Sequence, residues 1–228
     1  MQDENSLDFN TILATSAHDM KNSLFMLLQS IEELDLADNF TPKQHQSFAD
    51  LHYQTSRING SLMQLLALYR DQTGQLPINI EENSVSDMLQ EVLDRNRLYI
   101  NSSHIKVILD VDTDLTAYFD QDLITYIITD VFVNALRHTD KKIILRAFTD
   151  EQYVTIQVED DGNGYPDHML AVNQDQELPF NAARGRSGLG LLFAKKIAAA
   201  HKTKLLQGHI LLENKEESGG SVFTLRLP

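Results

Sequence analysis

Cysteine is absent from all 228 residues. No disulfide framework and no thiolate zinc site can exist. Positive charge is scarce, with 19 Lys and Arg against 33 Asp and Glu and a formal net charge of -14. Such a surface repels nucleic acid and anionic lipid, so no nucleic-acid partner is expected. A phosphate-bearing ligand would need a site built locally from backbone N–H groups, a metal and a few bases. No apolar run approaches the roughly 18–20 residues needed to cross a bilayer. The first ten residues, MQDENSLDFN, are acidic and polar, unlike a secretory signal. These absences lead to an expectation of a cytoplasmic chain with no membrane contact of its own. Internal repeats and low-complexity tracts are also missing.

What is present is a core-forming composition, with 42% hydrophobic residues. Its periodicity divides the chain. Leu13, Ala17, Met20, Leu24, Leu27, Ile31 and Leu34 step alternately by four and three, a heptad seam of about three repeats. DLADNFTPKQ interrupts it, with Thr41 as a helix cap and Pro42 at the first helical position. A second seam runs through Phe48, Leu51, Thr55, Ile58, Leu62, Leu65 and Tyr69, and Gly74 and Pro77 end it. Residues 1–75 therefore read as a helical hairpin. Each helix buries one stripe and is marginal alone, so two hairpins are expected to pair as a homodimeric four-helix bundle.

Residues 76–228 mix periods. SVSDMLQEVLDRNRLYINSS reads as one helix capped near Ser84 or Ser86, and DQDLITYIITDVFVNALRHT as a long apolar helix. IKVILDVD, KKIILRAFTD, YVTIQVEDDG, HILLEN and GSVFTLRLP read as strands, and SGLGLLFAKKIAAAH as a helix opened by glycines. The expected class is α+β, a sandwich of one largely antiparallel sheet with helices on one face.

Three stretches of this second half carry chemistry. In DVFVNALRHT, Asp130 and Asn134 are four apart and Arg137 three further on, so they share a helical face. Amide and carboxylate oxygens suit Mg²⁺, and a nearby arginine suits a phosphate. In VEDDGNGYP, a strand ends in acids and meets Gly162 and Gly164, which let backbone turn and approach a ligand. A buried carboxylate at Asp160 could accept from the exocyclic amine of adenine. In GRSGLGLLFAKKI, Gly188 and Gly190 open a helix whose N–H groups favour a phosphate, with Arg184 and Arg186 beside them. Each alone also reads as ordinary structure: a solvated helix face, a turn, a helix start.

In this order and spacing the three resemble the N, G1 and G2 boxes of the histidine protein kinases of bacterial two-component signalling. AHDMKNSL, residues 17–24, resembles their H box, and GGSVFTLRLP the closing strand of their ATPase domain. The resemblance implies a dimerisation and phosphotransfer hairpin followed by a Bergerat-type α/β-sandwich that binds ATP and Mg²⁺. It implies that Asn134 ligands the metal and Asp160 recognises adenine. Gly162, Gly164, Gly188 and Gly190 would shape the pocket and its lid. Asp130, Arg137, His138 and Arg186 would stand at the nucleotide, and Phe180 would match the F box. The implied partner is the receiver domain of a separate response regulator.

Within the first seam His18 follows Ala17, at the edge of the stripe. A neutral imidazole there can attack a γ-phosphoryl group in line. Asp19 can hydrogen-bond the other ring proton or accept a proton, and the resemblance implies that Asn22, one turn on, helps position water to dephosphorylate the regulator. His18, Asp19 and Asn22 are thus the expected catalytic group. Three departures from the family pattern stand out. Asp130 replaces a commoner asparagine, Ser23 a common proline, and HKTKLLQGHILLEN lacks the Gly-Gly usual after the last histidine. Two other readings stay open: a degenerate scaffold that binds a regulator, and a conformational ATPase of the wider Bergerat class.

Overall fold

A computed structural model describes residues 9–35, 40–72, 78–103, 105–174, 189–215 and 219–228. The chain forms two compact units, Met1–Leu76 and Pro77–Pro228.

The first unit holds α1 (Phe9–Asp35) and α2 (Pro42–Gln72), which pack on each other. A capping box starts α2. The Thr41 N–H donates to Gln44 Oε1 at 2.8 Å, and the Gln44 N–H returns to Thr41 Oγ1 at 3.4 Å. Phe40, just outside the cap, meets the rings of His45 and Phe48 edge-on at 6.2 and 4.9 Å. Along α1 the Ser23 hydroxyl donates to the Asp19 carbonyl at 2.9 Å, and Ser30 does the same to Met26.

Within the single chain the seam divides into buried and exposed positions. Ile31 and Thr55 are buried, but Met20, Leu27, Leu34, Leu51 and Ile58 are 46–60% exposed. On its buried side α2 presents Ala49, His52, Thr55 and Gln64 instead. Small and polar residues allow close approach, and the larger apolar side chains remain outside.

In the second unit the sheet order is β2-β4-β5-β7-β6. Its strands are β2 (Lys106–Val111), β4 (Lys142–Asp150), β5 (Tyr153–Asp160), β6 (His209–Asn214) and β7 (Ser221–Leu227). β2 and β4 run parallel, and the other three pairings are antiparallel. A separate two-stranded ribbon joins β1 (Glu81–Ser84) and β3 (Thr116–Phe119), so one expected sheet is in fact two. At four residues each, these strands are too short for a period to mark them. The expected helix after Ser84 is also divided. Ser84 caps α3 (Val85–Arg95) by accepting from the Asp87 N–H, and the buried Asn96 separates it from α4 (Arg97–Ser102). The Asn96 side chain donates to the Val92 carbonyl at 2.7 Å, which ends the ladder of α3.

Two faces of the sheet follow from period two. One carries Ile143, Leu145 and Ala147 on β4, Ile156 and Val158 on β5, Phe223 and Leu225 on β7, and Ile210 and Leu212 on β6. It packs under α3, α5 (Gln121–His138) and α7 (Leu189–Ala200), whose Met88, Leu89, Ile124, Phe132, Phe193 and Ile197 are buried. The other face carries ion pairs: Arg146 pairs with Asp110 at 2.8 Å, Lys215 with Glu159 at 2.9 Å and Arg226 with Asp150 at 2.7 Å. The α6 turn (Asp167–Leu170) and a 3-10 turn (Ala171–Gln174) follow β5. No described helix is long and apolar enough to cross a membrane.

Candidate nucleotide site

Period two also decides where Asp160 goes. It ends β5, opposite Ile143, on the same face as Ile156 and Val158. The carboxylate is therefore turned toward the helices and is 6% exposed. Burial of a charge is tolerated only with hydrogen bonds. Oδ1 accepts from the Gly162 N–H at 2.8 Å, and Oδ2 accepts a short bond from the Ser221 hydroxyl. Each carboxylate oxygen has two lone pairs, so acceptor capacity remains for a ligand donor.

The turn after Asp160 is fitted tightly to its neighbours. A Cβ on Gly162 would lie 1.9 Å from the His138 carbonyl oxygen, so the turn rests directly on the end of α5. Gly164 has φ +79°, and a Cβ there would meet Asn214 Oδ1 at 2.8 Å. Asn214, at the end of β6, brackets Tyr165: its Oδ1 accepts from the Tyr165 N–H at 2.6 Å and its Nδ2 donates to the Tyr165 carbonyl at 2.8 Å. Burial raises the Tyr165 phenol to about 12, a hydrogen bond with Ser221 opposes the rise, and the Asp160 charge adds to it. The phenol stays protonated at neutral pH and joins Ser221 and Asp160 in one polar cluster.

Asp161 faces the other way. Its Oδ1 accepts from the Thr139 hydroxyl at 2.6 Å and from the N–H groups of Asp140, Lys141 and Lys142 at 3.1, 3.0 and 3.1 Å. Desolvation pushes this carboxyl up, but the four donors outweigh it and hold it well below the usual range.

α5 supplies the neighbouring wall. Asp120 caps it by accepting from the Leu123 N–H at 3.0 Å. Ile124, Ile128, Phe132, Ala135 and Leu136 bury one side. Asp130, Asn134, Arg137 and His138 all fall on the exposed side, so the sequence spacing brings them to one face. The N-terminal end of α7 places Gly190 second in the helix. Phe180, Arg184, Arg186 and Gly188 lie outside the described residues.

At the far end of α7, His201 is buried and ties that helix to α5. Its Nε2 accepts from the Asp120 N–H at 3.0 Å and its Nδ1 donates to the Ile197 carbonyl at 2.7 Å. Both bonds require the neutral ring. Burial lowers its pKa, while the Ile197 carbonyl and the Asp120 charge pull it up.

Residues 119–228 match the family described as Histidine kinase-, DNA gyrase B-, and HSP90-like ATPase. The sensor histidine kinase component HK1 of Mycobacterium tuberculosis is 34% identical over 119 residues, covering 51% of this chain and 67% of that protein. The chain belongs to the sensor histidine kinases. Other histidine kinases align along most of its length. The signal transduction histidine-protein kinase AfsQ2 of Streptomyces coelicolor is 27% identical over 230 residues, 95% of this chain and 41% of its own. The adaptive-response sensory kinase SasA of Crocosphaera subtropica is 27% identical over 229 residues, 95% of this chain and 58% of its own. The chain thus spans about half the length of these two curated relatives. Among solved structures, full-length ShkA in complex with AMPPNP has TM-score 0.63 at 19% identity, covering 95% of this chain and 45% of that one. The Acinetobacter baumannii histidine kinase AdeS has TM-score 0.58 at 18% identity, covering 90% and 95%. The second unit has the Bergerat fold.

For a histidine kinase the remaining residues of interest lie on α1. His18 falls within the helix, and its side chain is outside those described. Asp19 and Asn22 are exposed on the same helix. Sequence reasoning passed over Asp161, Tyr165, Asn214 and Ser221 around the nucleotide site. Asp161 and Tyr165 lie within VEDDGNGYP, and Ser221 stands just after Gly219 and Gly220 at the head of the closing strand, so a local signal was present for these three.

Proposed function

We propose that this chain is an ATP-dependent protein histidine kinase that phosphorylates itself on His18 and passes the phosphoryl group to an aspartate on a separate response regulator. One observation carries the reading: the buried Asp160 carboxylate, held by Gly162 and Ser221, keeps acceptor capacity in a member of this kinase family. An acceptor-only carboxylate selects a base with a donor amine, as adenine has. In this reading residues 1–75 form the dimerisation and phosphotransfer domain and residues 76–228 the catalytic domain. The chain works in the cytoplasm.

The residue roles follow. Asp160 takes the exocyclic amine, and Gly162 and Gly164 let the turn close on the base. Arg137 and His138 meet the phosphates. Phe180, Arg186, Gly188 and Gly190 belong to the segment that covers the nucleotide. The donor set fits a hard cation with few protein ligands. Asn134 offers an amide oxygen with Asp130 one turn back, and no three acidic or imidazole side chains converge among the described residues. Magnesium, when bound, offsets the triphosphate charge. The imidazole of His18 attacks the γ-phosphorus, the bond to the bridging oxygen breaks, and ADP leaves with that electron pair. Asp19 receives the ring proton released as the N–P bond forms. Asn22 orients water against the phosphorylated regulator.

A homodimer is supported by the exposed heptad positions. Met20, Leu27 and Leu34 on α1, and Leu51 and Ile58 on α2, recur every seven residues and stay outside the single hairpin.

The test uses γ-labelled ATP with magnesium. Wild type should acquire acid-labile, alkali-stable label, and His18→Ala should lose it. Label that survives His18→Ala removes His18 from the mechanism. Hydrolysis with no bound label favours a conformational ATPase, and neither signal favours a scaffold. Asn22→Ala should keep self-labelling and slow regulator dephosphorylation; an unchanged dephosphorylation rate removes its role.

A further inference from the structure

The two ends of the candidate nucleotide site come from different elements. The base end is Asp160, on β5. The phosphate end is the exposed face of α5, with Asn134, Arg137 and His138 in its last turns. Something must fix one against the other. The chain between them offers little, because α5 and β4 are joined by only Thr139–Lys141 and β4 then runs away from the site.

Asp161 spans that gap. Its side-chain hydrogen bonds among the described residues run to the connection after α5: the Thr139 hydroxyl and three successive N–H groups, Asp140 to Lys142, converge on its Oδ1. The Asp161 N–H also points back toward Thr139 Oγ1 at 3.5 Å. Thr139 is the C-cap of α5, its own N–H donating to the Ala135 carbonyl at 2.9 Å. Next along, Gly162 lies so close to the His138 carbonyl that no side chain fits between them. The turn and the helix end are thus locked twice, by a carboxylate in a ring of donors and by backbone in contact.

We propose that Asp161 is the positioning residue that holds the phosphate-facing end of α5 at a fixed distance from the base-facing carboxylate Asp160. The inference rests on the nucleotide-binding reading above. Removing the Asp161 carboxylate leaves both bonds of Asp160 in place, since Gly162 and Ser221 make them. It releases Thr139 and the helix end. The loss therefore falls on contacts to the phosphates, and recognition of the base is spared.

The experiment compares ATP with Mg²⁺ and adenosine, each displacing a fluorescent ATP analogue from the full chain. Asp161→Ala should weaken ATP about tenfold and change adenosine less than about twofold, so the preference for the triphosphate shrinks. Asp161→Asn keeps an acceptor oxygen and should recover most of the loss. Thr139→Val removes one donor while sparing the carboxylate, and should move the same ratio by about threefold if the alanine variant does not fold. Equal weakening of both ligands, or an unchanged ratio in the folded variants, overturns the inference alone. A wild-type chain that binds neither ligand overturns the nucleotide reading, and the inference with it.

Discussion

His201 shows how much one side chain can decide. The Asp120 N–H needs a lone pair on Nε2, and the Ile197 carbonyl needs the proton on Nδ1. A second proton would convert Nε2 to a donor aimed at another donor. Burial lowers the ring's pKa, against the pull of Ile197 and Asp120. The unfolded chain therefore takes up a proton more readily than the folded one. Stability from this group is fully present above the unfolded value of about 6.5 and is lost as pH falls below it. Thermal melts across that range should show the wild-type midpoint dropping on the acid side. His201→Gln should melt lower at pH 8 and show a shallower drop. Parallel pH profiles for the two proteins would contradict this account.

Elements meet at the turn between β5 and α6. Gly162→Ala places a methyl group 1.9 Å from a backbone oxygen at the end of α5, and neither partner is a flexible side-chain tip. The expected cost is about 3 kcal/mol in a denaturant titration of the second unit, from backbone displacement. A cost under about 0.5 kcal/mol would mean that the helix end yields easily. Local periodicity foretold most of this unit. The alternation of KKIILRAFTD and YVTIQVEDDG gave β4 and β5, and the same alternation points Asp160 inward. The spacing of Asp130, Asn134 and Arg137 gave the exposed face of α5. Legibility ended where partners are distant in sequence. Ser221 is 61 residues from Asp160, and Asn214 is 49 from Tyr165. β1 and β3, four residues each, were too short to show a period. In α2 the buried positions include Ala49, His52, Thr55 and Gln64, a largely polar mixture that hydrophobicity patterns pass over.

Over the whole molecule the apolar heptad positions make the sharpest demand. Leu27 is 48% exposed and Ile58 60% exposed. Covering such side chains is worth roughly 1.5–3 kcal/mol each. Sedimentation should find wild type as a dimer, and Leu27→Glu with Ile58→Glu should shift it to monomer at micromolar concentration. A doubly substituted chain that remains dimeric would place the contact elsewhere.

Ser23 has a mechanical consequence at this same scale. Where related kinases often carry proline, its N–H is retained and its hydroxyl also reaches the Asp19 carbonyl. α1 keeps its helical ladder through Ser23, without the break in hydrogen bonding that a proline imposes. A push or twist applied along that rod would meet a continuous ladder at Ser23 in place of the missing N–H that a proline leaves. Amide exchange over residues 19–27 should accordingly be slow and even, and a fast-exchanging break at Ser23 would show that the rod flexes after all.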